Sequence, residues 1–256
     1  MKIQDYINRI NYKGDLALNL DVLKHLQKTH LLNVPFENLD IHYDNPIELD
    51  IDKIYRKVIE KGRGGFCYEL NGVFLSLLKA IGFDSKIISA RVYDSEKEVF
   101  GKEYDHLAII VKLNQIEYLV DVGFAEFAFH PLELNRKIIQ SDPRGNFTIE
   151  KFENGFKVSK IDGEIKSTQY IFTDMKREFS EFSEMCKYHQ TDPNSHFTKK
   201  RLITKPTEIG QVTIAGNTIK ISEAGITVKK QQFAKEEFGK YLKEWFGIDE
   251  LEIKGN

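Results

Sequence analysis

The hydrophobic period of this sequence changes at Gly82, and no other feature restricts its fold as strongly. Before that glycine, apolar residues recur at spacings of three and four, which is the repeat of one helix face. The spacing predicts helices over residues 18–32, 51–59 and 70–81, the last of which ends at Gly82. After Gly82 the pattern becomes an alternation rich in Ile and Val, which is typical of strands.

The alternating part of the chain predicts an antiparallel sheet. Asn154-Gly155 is a strong two-residue hairpin signal between two of its strands. Short strands joined by turns predict a small antiparallel barrel or a curled sheet. The strands are expected at residues 86–93, 106–113, 117–122, 147–150, 156–159 and 167–172.

A second helical region and a second set of strands follow. The predicted helix covers residues 176–190 and carries Cys186 on its apolar side. A final amphipathic helix with aromatic residues on one face ends the pattern. The whole is an α+β fold, and at 256 residues we expect two or three packed subdomains that share a core. The later strands are expected at residues 211–214, 218–221 and 226–228.

Composition excludes several functional classes. With 41 % hydrophobic and 30 % charged residues and a formal charge of -2, the chain gives no general reason to expect nucleic acid as a partner. The first six residues lack the apolar core of a signal peptide, and no run approaches the ~18 apolar residues of a membrane span. The two cysteines, Cys67 and Cys186, suit a reducing cytoplasm better than a disulfide framework. We therefore expect a cytoplasmic protein without a membrane partner.

The segment 63–72 places Cys67 in the first turn of a buried helix. Free main-chain N–H groups and the positive end of the helix dipole favour a thiolate at that position. An unperturbed cysteine is only ~3 % thiolate at pH 7, whereas a pKa lowered to ~6 makes it roughly 90 % thiolate. Gly64 and Gly65 allow a tight loop, so that a substrate carbonyl can approach the sulfur. The alternative interpretation is a small buried cysteine at the start of a core helix.

A histidine and an aspartate are predicted to lie on one face of a hairpin. If Asn114-Gln115 is its two-residue turn, Asp121 faces Ala108, which is two residues from His106. His106 and Asp121 then become diagonal neighbours at roughly 7–8 Å between backbones. A carboxylate inside an apolar strand also needs a partner, because an unpaired buried charge costs several kcal/mol. The alternative is that His106 is a polar strand cap and Asp121 pairs with a structural Lys or Arg.

Together Cys67, His106 and Asp121 predict a nucleophile, a base and an orienting carboxylate. His106 would take the thiol proton, and Asp121 would hold the tautomer of the imidazole and stabilise its charged form. The histidines and Cys67 show no close spacing typical of metal ligands, so no metal is expected.

These residues resemble the arylamine N-acetyltransferase family over most of the chain. The resemblance implies an α+β fold of three parts: an N-terminal helical bundle (1–85), a central antiparallel β-barrel (86–190) and a C-terminal α/β lid (191–256). A papain-like Cys-His-Asp arrangement would lie where the first two parts meet. The matching segments are VPFENL at 34–39, RGGFCYELN at 63–71, HLA at 106–108, YLVDVGF at 118–124, PLEL at 131–134 and DPNSHF at 192–197.

The resemblance also implies an activity. The donor would be acetyl-CoA as a co-substrate, and the acceptors would be arylamines, arylhydrazines or N-hydroxyarylamines. The acetyl group would pass through an acetyl-cysteine in a ping-pong mechanism, and the protein would be a monomer or homodimer. The main-chain N–H of Cys67 is one candidate donor to the oxyanion, and Arg63 matches a family position that we take to be structural.

Binding residues follow from the same resemblance. Phe36, Val92 and Phe124 look like an acceptor pocket for flat apolar amines. Ala125 stands where the family usually has a glycine, in a loop that borders the CoA and acceptor channel. Lys199 and Lys200 are candidates to meet the CoA phosphates, and the alternative for them is a solvated basic turn.

Other functions stay open at this point. An amide synthase of the same fold would close a macrolactam from a carrier-bound acyl chain and would need a larger pocket. A cysteine hydrolase or transglutaminase would use a similar triad, although the helical N-terminal bundle argues against it. A non-enzymatic binding module would leave Cys67 no more reactive than a free thiol.

Overall fold

The computed structural model describes residues 1–134 and 138–254. None of the helices in these two ranges combines the length and the apolar character that crossing a membrane requires.

The N-terminal part is helical apart from one short strand. Asn19 caps the second helix by accepting the main-chain N–H of Val22, and Gly82 ends the fifth in a left-handed conformation. A single π-helical turn, Arg56–Glu60, extends the fourth helix. The predicted helices are confirmed with small shifts at their ends. The elements are α1 (Ile3–Arg9), α2 (Leu20–Asn33), β1 (Phe36–Glu37), α3 (Leu39–His42), α4 (Ile51–Tyr55) and α5 (Cys67–Ile81).

The middle of the chain forms one antiparallel sheet that curls into a nearly closed barrel. Its strands are β2 (Asp84–Asp94), β3 (Val99–Phe100), β4 (His106–Leu113), β5 (Ile116–Val120), β6 (Leu132–Glu133), β7 (Gln140–Asp142), β8 (Gly145–Phe152), β9 (Gly155–Asp162) and β10 (Ile165–Phe172). They are ordered β6-β5-β4-β2-β10-β9-β8-β7, with β3 beside β2. The edge strands meet where the Gln140 side chain bonds both the N–H and the C=O of Glu133. The predicted barrel is thus confirmed.

The hairpin between β8 and β9 differs from its prediction. Phe152 pairs with Gly155, so the two-residue turn is Glu153-Asn154, and Glu153 has a positive φ of 49°. Gly155 is instead the first residue of β9. A Cβ there would lie only 2.1 Å from the carbonyl oxygen of Phe172. The prediction of an Asn154-Gly155 turn was wrong, because Gly155 is needed where two strands pack closely together.

The C-terminal part is built on a second antiparallel sheet. Residues 202–207, 210–215, 218–223 and 226–232 form four strands in chain order, and β1 from the N-terminal part pairs with the first of them and forms one edge. The strand at residues 202–207 was not predicted, because Pro206 interrupts the pattern of a strand. The predicted helix over residues 176–190 begins later, since Arg177 donates its main-chain N–H to Ile87 of β2. The elements are α6 (Ser183–Thr191), α7 (His196–Lys199), β11 (Leu202–Thr207), β12 (Gly210–Ala215), β13 (Thr218–Glu223), β14 (Ile226–Gln232), α8 (Phe238–Phe246) and α9 (Glu250–Lys254).

Helix α5 lies at the centre of the molecule. It packs against α1 and α4 on one side and against β2 and β4 on the other, and nearly all of its residues are buried. Because β4 begins beside this helix, the first residue of α5 is brought next to the barrel. The division of the chain at residues 85 and 190 stays a prediction.

Candidate active site

Cys67 is the first residue of helix α5, as the sequence predicts. Phe66 precedes it in extended conformation, and the main-chain N–H of Leu70 donates to the carbonyl of Phe66 at 3.0 Å. The N–H groups of the first helical turn have no acceptor within their own helix, and Cys67 lies at that end of α5. The Cys67 side chain is buried and is not in a disulfide.

Asp121 follows β5 directly and is fully buried. One carboxylate oxygen, Oδ2, accepts from His106 Nε2 at 2.6 Å and from the Tyr170 hydroxyl at 3.1 Å. The other, Oδ1, accepts from Asn71 Nδ2 at 2.9 Å and from the main-chain N–H groups of Gly123 and Phe124 at 2.9 and 3.1 Å. Five donors therefore surround a carboxylate that has no access to water, so its hydrogen-bonding capacity is satisfied within the protein.

The imidazole of His106 lies between this carboxylate and the cysteine. Its Nε2 faces Asp121, and Cys67 lies close enough to act on its charge. Burial by itself lowers the pKa of His106. The Asp121 charge and hydrogen bond, with smaller contributions from Cys67, outweigh burial and raise that pKa to about 10. The imidazole therefore holds a proton at neutral pH beside the sulfur.

The predicted hairpin register produces this geometry. Lys112 pairs with Glu117 and Ile109 with Val120, so the turn is Asn114-Gln115, and both of its residues have positive φ. The next pair along the same register would join Ala108 and Asp121. His106 and Asp121 thus lie on one face of the two strands, and the predicted juxtaposition is confirmed as a direct hydrogen bond.

Gly123 allows the loop after Asp121 to lie against Cys67. A Cβ on this residue would be 2.7 Å from both the Cα of Cys67 and the side-chain nitrogen of Asn71. These are contacts that real Cβ atoms do not make, so only glycine fits without displacing α5. Ala125 stands two residues later in a partly exposed turn.

Two residues of this site were not given a role by the sequence. Asn71 donates to the carbonyl of Leu107 at 2.6 Å, donates to Asp121 and accepts the N–H of Val122 at 2.9 Å. Its position could have indicated this role, because Asn71 is four residues after Cys67 and therefore lies on the same helix face. Tyr170 lies on β10, far along the chain, and had no local signal.

Of the three predicted acceptor contacts, Phe124 contacts His106, and Phe36 and Val92 lie on strands next to the cysteine loop and to His106. The ring of Phe124 packs edge-on against His106 with 5.4 Å between centroids. Phe36 lies on β1 beside Gly65 of the cysteine loop, and its ring is 5.9 Å from that of Phe197. Val92 is half-buried on β2, two residues along from the partner of His106.

The two residues predicted to contact the phosphates of CoA lie just before strand β11. Lys199 is the last residue of α7 and Lys200 follows it, and both side chains are exposed. They line a surface cleft of about 790 Å³ together with Arg201 and Lys235. The Asn38 side chain donates to the carbonyl of Lys200 at 2.9 Å, which connects this cleft to the segment that carries Phe36.

The chain is similar to known proteins over nearly its whole length. Residues 19–254 match the family model described as N-acetyltransferase. A pineal gland isozyme of arylamine N-acetyltransferase from Gallus gallus is 32% identical, over 97% of this chain and 94% of its own length. The structure of the arylamine N-acetyltransferase from M. tuberculosis superposes with a TM-score of 0.91 at 28% identity, covering 98% of this chain and 96% of that one. The Mycobacterium marinum arylamine N-acetyltransferase in complex with CoA gives 0.90 at 25%, covering 98% and 94%.

Proposed function

The chain belongs to the arylamine N-acetyltransferase family, and from that premise we propose that it transfers an acetyl group from acetyl-CoA to arylamines, arylhydrazines or N-hydroxyarylamines. We place Cys67, His106 and Asp121 in the catalytic roles. The similar Mycobacterium marinum protein was solved in complex with CoA, which supports CoA as the product of the first step.

The contact chain from Asp121 through His106 to Cys67 carries this proposal. His106 Nε2 and Asp121 form a 2.6 Å hydrogen bond, and Cys67 is the first residue of the buried helix α5. A protonated imidazole and a helix N-terminus both stabilise a thiolate. In this proposal the Cys67 sulfur reacts as a thiolate beside the imidazolium of His106.

The first half-reaction acetylates the enzyme. The Cys67 thiolate attacks the thioester carbonyl of acetyl-CoA, and we assign the main-chain N–H of Cys67 as one donor to the oxyanion. The bond between the acetyl carbon and the CoA sulfur then breaks, and His106 gives its proton to the departing sulfur. The products are CoA, acetyl-Cys67 and a neutral His106.

The second half-reaction consumes the acetyl-cysteine. A neutral aryl amine attacks the acetyl carbon, and His106 accepts the amine proton. The bond to the Cys67 sulfur breaks, which releases the amide and restores the thiolate beside the imidazolium. One thioester exchanges for another in the first step, so positioning and activation are the main demands on the protein.

We assign acceptor binding to Phe36, Val92 and Phe124. The ring of Phe124 against His106 places an apolar surface next to the base, and Phe36 adds a second ring beside the cysteine loop. Flat apolar amines are then selected mainly by burial, so broad acceptor specificity is expected. For CoA we assign Ala125 to the channel border and Lys199 and Lys200 to the phosphates.

Acetyl-CoA alone tests the first half-reaction. The expected result is release of CoA with one acetyl group on the peptide that contains Cys67, seen by mass spectrometry. Adding an aryl hydrazine should then remove that group and yield the acetyl hydrazide. Cys67→Ser should abolish both events. Cys186→Ser is the matched control, because Cys186 is a buried thiol whose pKa burial raises to about 12, and it should leave both unchanged.

Failure to release CoA and to acetylate Cys67 would contradict the proposal. Cyclisation of a carrier-bound acyl chain without any response to acetyl-CoA would favour the amide synthase instead. Amide hydrolysis or Gln–Lys crosslinking would favour a hydrolase or transglutaminase. We propose a cytoplasmic location, where a reducing milieu keeps Cys67 free for catalysis.

A further inference from the structure

We propose that Glu69 is a positioning residue for the nucleophile. By accepting the main-chain N–H of Phe66, it fixes the loop that presents Cys67 to His106. The role rests on the proposed function of Cys67 as the nucleophile.

The side chain of Glu69 folds back over the start of its own helix. It is the third residue of α5, and its Oε2 accepts the N–H of Phe66 at 3.1 Å. A Cβ on Gly65 would lie 2.8 Å from this same oxygen, so the loop wraps closely around the carboxylate. This hydrogen bond satisfies a buried main-chain donor directly before Cys67. A displaced carboxylate would therefore displace the residue that carries the sulfur.

The Glu69 carboxylate is bound by Lys57, which lies on the π-helical turn. Lys57 Nζ donates to its two oxygens at 2.8 and 3.0 Å, and the same ammonium group lies 2.7 Å from Asp40. Arg63 binds Asp40 and Glu37 on the other side. The nucleophile loop thus rests on a buried network of charged side chains.

This network contains one more carboxylate than it has cations. Glu37, Asp40 and Glu69 face Lys57 and Arg63. Burial acts to raise the pKa of Asp40, but the two cations lower it to about 2. Burial raises the pKa of Glu69 to about 7 against the effect of Lys57. Burial therefore favours the protonated form of Glu69.

A surface cleft allows this network to exchange protons with solvent. A cleft of about 420 Å³ is lined by Asp40, Lys57 and Glu69. The Cys186 thiol on α6 is a further titratable group whose pKa the Glu69 charge raises, after burial. The network can thus change protonation without unfolding.

We expect the position of the hydrogen-bond acceptor at residue 69 to affect the placement of Cys67 more than the charge of that side chain does. A protonated carboxyl keeps one oxygen free to accept from Phe66. A glutamine at residue 69 offers an acceptor at the same distance along the side chain, and it leaves two carboxylates facing two cations. An aspartate keeps the charge but withdraws the acceptor by one methylene group.

The experiment compares the pH profile of Cys67 alkylation by iodoacetamide in four proteins: wild type, Glu69→Gln, Glu69→Asp and the control Glu60→Gln. Glu60 is exposed on the same π-helical turn. Glu69→Gln and Glu60→Gln should keep the wild-type midpoint and plateau rate. Glu69→Asp should lose about tenfold or more of the plateau rate, with its midpoint moved toward that of a free thiol.

Two outcomes would overturn the inference. If Glu69→Asp lowers only the thermal midpoint and leaves the alkylation profile of the folded protein unchanged, the residue is merely structural. If Glu69→Asp behaves as wild type while Glu69→Gln fails, the charge matters and the acceptor position does not. A wild type without a plateau near neutral pH would instead remove the nucleophile, and with it the proposed function.

Discussion

The Asp121→Asn substitution tests the electrostatic basis of the site most directly. The amide has one oxygen, which can keep the three donors now at Oδ1. Its NH₂ group then faces His106 Nε2, so that this nitrogen must accept and Nδ1 must carry the proton. A neutral imidazole with its N–H toward Cys67 cannot take the thiol proton.

The magnitude follows from the state of His106. Its pKa, about 10 against an ordinary 6.5, corresponds to roughly 5 kcal/mol in favour of the charged imidazole. Without the Asp121 charge, burial dominates and lowers the pKa of His106. The imidazolium beside Cys67 is then lost, and because an unperturbed cysteine is only ~3 % thiolate at pH 7, the alkylation rate should fall by up to about thirtyfold. Acetyl transfer should fall by about 10³–10⁴, the loss expected for a wrong tautomer.

The assay is iodoacetamide labelling from pH 5 to pH 9, followed by turnover with acetyl-CoA and an aryl hydrazine. Asp142→Asn is the matched control, because Asp142 is a buried carboxylate of the same barrel that also pairs with a histidine, His130, at 3.0 Å. It should leave the labelling profile of Cys67 unchanged. A neutral-pH plateau in Asp121→Asn, with turnover within tenfold of wild type, would refute the reasoning.

Three further predictions concern stability and geometry. Because the pKa of His106 is raised in the folded protein, its contribution to stability is complete below pH 6.5 and is lost as pH rises toward about 10, which urea unfolding across that window should show. Gly123→Ala should cost roughly 1–3 kcal/mol in unfolding free energy and lower the alkylation rate, since its Cβ would collide with the main chain of Cys67. Asn71→Ala should cost roughly 2–4 kcal/mol and lower kcat more than it raises KM, because Asp121 and two main-chain groups lose a partner.

Each of these has its own control. Asp121→Asn should flatten the alkaline loss of stability, and an unchanged slope would show that other groups cause it. Gly225→Ala carries backbone strain at φ 81° with no atom within 4 Å, so its labelling profile should match that of wild type. Asn33→Ala removes a side chain that bonds the carbonyls of Ile10 and Thr29, and it should lower stability without changing kcat.

The structure accounts for the places where sequence reasoning succeeded. The helix that starts at Cys67 and the hairpin that turns at Asn114-Gln115 are set by local periodicity and turn chemistry. A strand period of two then fixes which side chains share a face, and His106 and Asp121 met as expected. The prediction of an Asn154-Gly155 turn was wrong, because a sequence does not distinguish a glycine needed for close packing from one needed for a turn.

What the sequence determined by itself was therefore most of the helices, the main strands of the barrel, the position of the cysteine at a helix start and the register of one hairpin. Only the tertiary structure decided that Tyr170 and Asn71 would complete the shell of Asp121, that Phe36–Glu37 would join a sheet with Leu202–Thr207, and that Glu69 would lie in a charged network behind Cys67. Periodicity and turn preference act between neighbours along the chain. The burial and pairing of charges depend on which distant segments pack together, and no local pattern records that choice.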